Sequence, residues 1–90
     1  MIRINKLIWD DQNVSHIAKH SVTVSEVETG LRDGKIKIRN THSERFMLYC
    51  RAGKRLLSII VAAEGEEGLY VVTARDMSKK ERNFYLERIS

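Results

Sequence analysis

Arg75 closes the apolar run Leu69–Ala74, and three residues later Ser78 is followed by Glu81 in the spacing of a helix capping box. A guanidinium held at a strand end beside unpaired helix amides suits an anion such as phosphate, which it can bond at two points. The plainer alternative is that Arg75 pairs with a carboxylate at the rim of a sheet. In strict period-two alternation, Leu69, Val71, Thr73 and Arg75 share one face. His20 stands at the expected end of a first helix, and histidine is the side chain that can give or take a proton near neutral pH. Metal-free phosphodiester chemistry needs a base at the attacking hydroxyl, an acid at the leaving oxygen and cations on the phosphate.

Other residues supply the remaining parts. Arg45 and Arg51 are further phosphate clamps, and Glu44, Glu81 and Tyr85 can orient them or move protons, although Glu81 is first needed as a cap. Trp9, Tyr49 and Tyr85 offer rings on which unpaired bases stack; burial against a sheet is the alternative for Trp9. Lys19, Lys79, Lys80 and Arg82 add cations for a polyanionic backbone, with Arg88 in the same last helix and Lys54 and Arg55 flanking one hairpin with Arg45 and Arg51. Such clusters also serve as ordinary solvated faces. His16 and His20 are one helical turn apart, as in zinc-binding helices, but no third ligand is marked. Cys50 falls in a strand, His42 in a loop, and Ile17 stands where an HExxH motif has its glutamate, so no metal or other cofactor is expected.

Ninety residues at 42% hydrophobic and 31% charged make one domain with a single core, spanning residues 1–90. A net charge of +4 favours an anionic partner. One cysteine allows no internal disulfide, and no segment has the order of a signal peptide or the roughly 20 apolar residues of a membrane span, so a cytoplasmic protein is expected. Cys50 reads as a small core residue.

The elements that must position these residues follow from periodicity. Asp10 can cap a helix running to about Lys19, with Val14, Ile17 and Ala18 as its apolar stripe. Thr23 and Glu26 form a second capping box, opening a helix with Val24, Val27 and Leu31 inward that stops near Gly34. From Lys35 the period becomes two. Strands are expected over Lys35–Arg39, Arg45–Arg51, Leu56–Ala63 and Leu69–Ala74, with hairpin turns at Ala52–Lys54 and Glu64–Gly68, and a helix after Ser78. The fold class is α+β: two N-terminal helices, an antiparallel meander of about four strands and a C-terminal helix.

Trp9-Asp10, the helix ending Ala18-Lys19-His20, Val22 with the Ser25-Glu26-Val27 helix, Glu44-Arg45 opening a strand, and Thr73-Ala74-Arg75 with Glu81 and Tyr85 occur in an ordered set covering nearly the whole chain. This set resembles the BrnT family of type II toxins. The resemblance implies a RelE-like fold and a metal-independent endoribonuclease that arrests translation. It also implies silencing by a BrnA-like antitoxin, in a heterotetramer built through an antitoxin dimer, with operator DNA reached only through that antitoxin and no membrane partner. Two departures stand out. Relatives usually have His-Gly where this chain has His20-Ser21, so the bend is expected to use another backbone geometry. Val61–Gly65 replaces a segment that often carries an aromatic or threonine and an arginine. A non-catalytic module that binds RNA or protein through the same basic face is the alternative function.

Overall fold

The computed structural model describes residues 6–33, 35–41, 44–64 and 68–89, with the side chains of Asp33, Glu64, Arg88 and Ile89 left aside. Gly34, His42 and most of the Glu64–Gly68 turn, Gly65 included, lie outside the described residues, as does the Arg88 side chain. The order is β1 (Leu7–Ile8), α1 (Asp11–Ala18), α2 (Val24–Asp33), β2 (Lys37–Asn40), β3 (Arg45–Ala52), β4 (Arg55–Glu64), β5 (Gly68–Asp76) and α3 (Lys79–Ile89). The strands form one sheet in the order β1-β5-β4-β3-β2.

The α+β class and the antiparallel meander β2-β3-β4-β5 are as the periodicity predicts. The sheet has a fifth strand, however, because Leu7 and Ile8 pair in parallel with Leu69 and Tyr70. Two residues carry too little period to announce a strand, and their pairing is set by the distant β5.

All three helix starts are built from local side chains. The Asp10 carboxylate accepts from the Asn13 amide at 2.9 Å, while the Asp10 amide donates to Asn13 Oδ1 at 2.8 Å. Thr23 and Glu26 exchange the same pair of bonds, as do Ser78 and Glu81. Asn13 is itself buried and donates from Nδ2 to the Ile8 carbonyl. It and Ile17 form the inward face of α1, whereas Val14 and Ala18 of the expected stripe face outward. The cap thus overrides hydropathy in a helix of only two turns.

Helix α1 ends in a Schellman motif: the Val22 amide donates to the Ile17 carbonyl at 3.1 Å and the Ser21 amide to Ala18 at 2.9 Å. Ser21 takes φ 59 itself. The expectation of another geometry is therefore corrected, since serine occupies the left-handed position that glycine usually fills. Val22 and Ile17 both end in the core, which anchors the motif.

The sheet is packed on both faces. On one, α1 and α2 cover Leu48, Cys50, Leu57, Ile59, Val61, Leu69, Val71 and Ala74. Helix α2 approaches β3 closely at Gly30, where a Cβ would lie 2.8 Å from Cys50 Sγ. Burial pushes the Cys50 thiol up to about 12, as befits an inert core residue. On the opposite face α3 sets Tyr85 and Phe84 against Tyr49, Met77, Met47 and Leu56.

Candidate functional site: a cleft between α1 and the open half of the sheet

Helix α3 covers only part of its face of the sheet, and α1 packs along β5. Between α1 and the uncovered strands lies an open cleft of about 810 Å³, lined by Asp11, Gln12, Asn13, Ser15 and His16 of α1 and by Arg45, Ile60, Tyr70, Val72 and Thr73 of the sheet.

A β-bulge shapes this lining. Ile60 pairs with Thr73 and Val61 with Val71, so Val72 is an extra residue in β5. Leu69 and Val71 point into the α1/α2 core, as does Ala74 beyond the bulge, while Val72 and Thr73 both line the cleft. The expectation that Leu69, Val71, Thr73 and Arg75 share a face is thereby corrected: strict alternation breaks at Val72, and Arg75 stands on the α3 side, paired across to Ser58.

Arg45, Ala62 and Tyr70 occupy one cross-strand row. Two strand spacings of about 4.8 Å put Arg45 roughly 10 Å from Tyr70, and the small Ala62 between them leaves room for the guanidinium to reach over the sheet. The Tyr70 hydroxyl donates to Asp10, at 3.0 Å from Oδ2, which fixes the ring against the start of α1. The Asn13 amide, then the Tyr70 hydroxyl, hold the Asp10 carboxyl below its ordinary range against the opposing effect of desolvation. Asp11, Gln12, Ser15, Arg45 and Thr73 use their side chains in no hydrogen bond or ion pair among the described residues.

The other arginines near the site are engaged. Arg75 meets Glu81 at two points, Nη1 to Oε1 at 2.7 Å and Nη2 to Oε2 at 3.0 Å, and also donates to the Asp76 carbonyl. Partial burial opposes ionisation of Glu81, but the bonds from Arg75, the Ser78 amide and Ser58 hold its carboxyl down to about 2. The same pair raises Arg75. Arg55, which sequence reasoning treated only as a flanking charge, donates from Nε to Asp76 at 2.7 Å and from Nη1 to Glu26 at 3.1 Å and the Ser21 carbonyl at 2.6 Å. Its Nη2 reaches the His20 carbonyl at 3.1 Å. No sequence signal marks Arg55, because its partners are 21 to 35 residues away.

Of the residues expected to act, Arg45 alone lines the cleft. His20 is exposed just beyond α1, its ring 6.1 Å from that of His16 and edge-on to it. His16, which was weighed only as half of a zinc pair, is the histidine in the cleft. Among the described residues no three His, Cys, Asp or Glu side chains gather as metal ligands. Glu44 is exposed beside Arg45, and its carbonyl accepts from the Ala63 amide. Tyr85 is 1% exposed, its hydroxyl donating to the Lys35 carbonyl at 2.5 Å. Tyr49, also 1% exposed, packs edge-on to Phe84 and presents no ring face to a base, which corrects the stacking expectation for it. Trp9 packs half-buried on the core and donates to Glu28 at 2.9 Å. Lys19, Arg51, Lys79, Lys80 and Arg82 are exposed and lie outside the cleft lining.

No family model and no curated protein matches this chain. Among solved structures, the ribonuclease toxin BrnT of Brucella abortus is similar, with a TM-score of 0.65 and 27% identity, covering 81% of this chain and 96% of that one. The ordered motifs and the shared fold agree, and the chain is BrnT-like.

Proposed function

We propose that this chain is the toxin of a type II toxin–antitoxin pair, a metal-independent endoribonuclease that arrests translation by cutting RNA in the cleft beside α1. The observation that carries this reading is the likeness to a ribonuclease toxin along nearly the whole of that neighbour. The cleft supplies the parts the chemistry requires. Cleavage proceeds by attack of a 2′-hydroxyl on its own 3′-phosphate: a base takes the hydroxyl proton, an acid protonates the departing 5′-oxygen, and a cation stabilises the charge gathering on the phosphate. His16 faces that space, with His20 one turn on, so two imidazoles are available for the base and acid roles. Arg45 is the guanidinium of the cleft that no other described residue holds and so is the one offered to the phosphate, and Arg75, outside the cleft lining, would reach a phosphate only by giving up Glu81.

A BrnA-like antitoxin would silence such a toxin by covering the cleft with an acidic or amphipathic segment that meets Arg45, in a heterotetramer joined through the antitoxin dimer. Light scattering of the co-purified pair checks that stoichiometry, and a 1:1 heterodimer contradicts it. The engagement of Arg75, Tyr49 and Tyr85 in internal contacts favours the second reading, a binding module without catalysis. Growth and total-RNA integrity after induction of the chain alone, beside His16→Ala and Arg45→Ala, separate the two. Arrest with RNA decay in the wild type only supports the nuclease; intact RNA with folded, antitoxin-binding protein supports the module.

A further inference from the structure

We infer that Arg39, on the edge strand β2, holds the RNA phosphate next to the one at Arg45, where the nucleic-acid backbone leaves the cleft. This second phosphate site rests on the reading of the cleft as an RNA site and adds the path of the backbone across the sheet.

Two ties fix how α1 lies along β5. The Tyr70 hydroxyl bonds Asp10 at the start of the helix. Arg55 bonds Asp76 at the end of β5 and the His20 and Ser21 carbonyls just past the end of the helix. Helix and strand therefore run side by side in the same direction. Midway along, Ser15 and His16 stand beside Thr73, and all three line the cleft. The sheet register carries that level outward: Thr73 faces Ile60, Ile60 faces Met47, and Met47 faces Arg39. Directly opposed residues of antiparallel strands share a face, so Arg39 stands on the side of the sheet that holds the cleft.

The next row toward the start of α1 is Tyr70, Ala62 and Arg45. On the other side, the row of Arg75, Ser58, Tyr49 and Lys37 lies where Phe84 of α3 packs on Tyr49. Two rows are thus left as an open strip, with α1 at one end and two arginines at the other. Arg39 and Arg45 flank Met47 as diagonal neighbours, about 7–8 Å apart. Arg45 lines the cleft, whereas Arg39 stands outside the lining. One guanidinium within the cleft and one at its exit meet consecutive phosphates of a backbone rather than the same one. Both side chains are exposed, and neither bonds a carboxylate among the described residues, in contrast to Arg55 and Arg75. Two like charges at this spacing repel, and a polyanion laid over them relieves the repulsion at the cost of no internal ion pair.

The test uses a fluorescein-labelled 2′-O-methyl hexanucleotide of mixed sequence, which lacks the attacking hydroxyl and remains intact. Its binding to the purified chain is read by fluorescence anisotropy over a range of salt. Arg39→Gln, checked for an unchanged circular dichroism spectrum, is expected to bind roughly tenfold more weakly at low salt. It should also lose about 0.7 from the slope of log affinity against log salt, the share of one single-strand phosphate, while Arg39→Lys keeps the slope. Arg32→Gln, at the end of α2 on the opposite face of the sheet, removes the same charge and should keep both. An unlabelled dinucleotide with one internucleotide phosphate, used as competitor, should weaken in Arg45→Gln and not in Arg39→Gln. Equal losses in Arg39→Gln and Arg32→Gln, a dinucleotide weakened by Arg39→Gln, or no binding by the wild type would overturn the inference. So would an unchanged slope in an Arg39→Gln chain that self-associates, which assigns Arg39 to guarding the sheet edge. Cleavage of the unmodified hexanucleotide separates this site from the nuclease reading. Loss of slope without any cleavage retains the site and removes the nuclease; cleavage whose KM ignores Arg39→Gln does the reverse.

Discussion

Arg55 grips Asp76 through two parallel hydrogen bonds, Nε to Oδ1 at 2.7 Å and Nη2 to Oδ2 at 3.2 Å. The same guanidinium reaches the carbonyls of His20 and Ser21 and the carboxylate that caps α2, so one side chain ties the end of β5 to the bend between the first two helices. The bonds to Asp76, with those to Glu26, raise Arg55 against desolvation, and Asp76 and Glu26 are lowered in turn.

Arg55→Lys keeps the charge but replaces a planar fork with one ammonium group, which cannot meet four partners. We expect a loss of about 1–3 kcal/mol in urea unfolding, with faster amide exchange at Ser21 and Val22 than at the centre of β4. An unchanged midpoint would show that solvent replaces the clasp at no cost.

The acid limb of stability should report Glu81. Its folded carboxyl titrates near 2 against an ordinary 4.5, so its contribution is complete above about pH 4.5 and is lost as the pH falls toward 2. Thermal midpoints measured from pH 6 to pH 2.5 should therefore fall more steeply for the wild type than for Glu81→Gln. The variant itself should be less stable at neutral pH by about 1–2 kcal/mol, from the weakened cap and the unpaired Arg75.

Ser21 carries a positive φ that glycine adopts freely. Ser21→Gly should raise stability by about 0.5–1 kcal/mol, the cost of a left-handed residue less the added entropy of the unfolded chain. Ser21→Val, with its β-branch, should lower it. Guanidinium denaturation orders the three, and any other order removes the strain argument.

In the cleft, His16→Ala should lower kcat/KM on RNA by roughly 10²–10⁴ as a lost proton-transfer group, and Arg45→Ala by roughly 10²–10³ as a lost cation at the phosphate. His20→Ala should lower it less, since His20 meets the cleft only through His16. If His20→Ala proves the more damaging, the acid–base centre lies at the end of α1 rather than within the cleft.

Much of the scaffold was legible because its signals are local. Asp10, Thr23 with Glu26, and Ser78 with Glu81 announce three helix starts within four residues each, and the alternation of Phe46, Leu48 and Cys50 against Met47 and Tyr49 separates the two faces of β3, although the second face is buried under α3 rather than left wet for function. What escaped the sequence depends on distant partners. The parallel pairing of Leu7 and Ile8 needs β5, and the clasp of Arg55 needs three other elements. The choice of His16 over His20 for the cleft follows from how α1 lies along β5. The bulge at Val72 is silent as well, since a run of β-branched residues reads the same with or without an extra member.

That bulge gives β5 a spare link. Central strands ordinarily tolerate no change of length, because losing one residue turns every later side chain inside out. At Val72 the extra residue has already absorbed that turn. A chain lacking it alternates plainly from Val71 to Asp76, with Ala74 still inward and Arg75 still toward α3. Such a chain would keep its core and its ion pair while surrendering one wall residue of the cleft. The strand that frames the site can thus be shortened at one point without being refolded, and the width of the cleft can change while the scaffold that holds it stays the same.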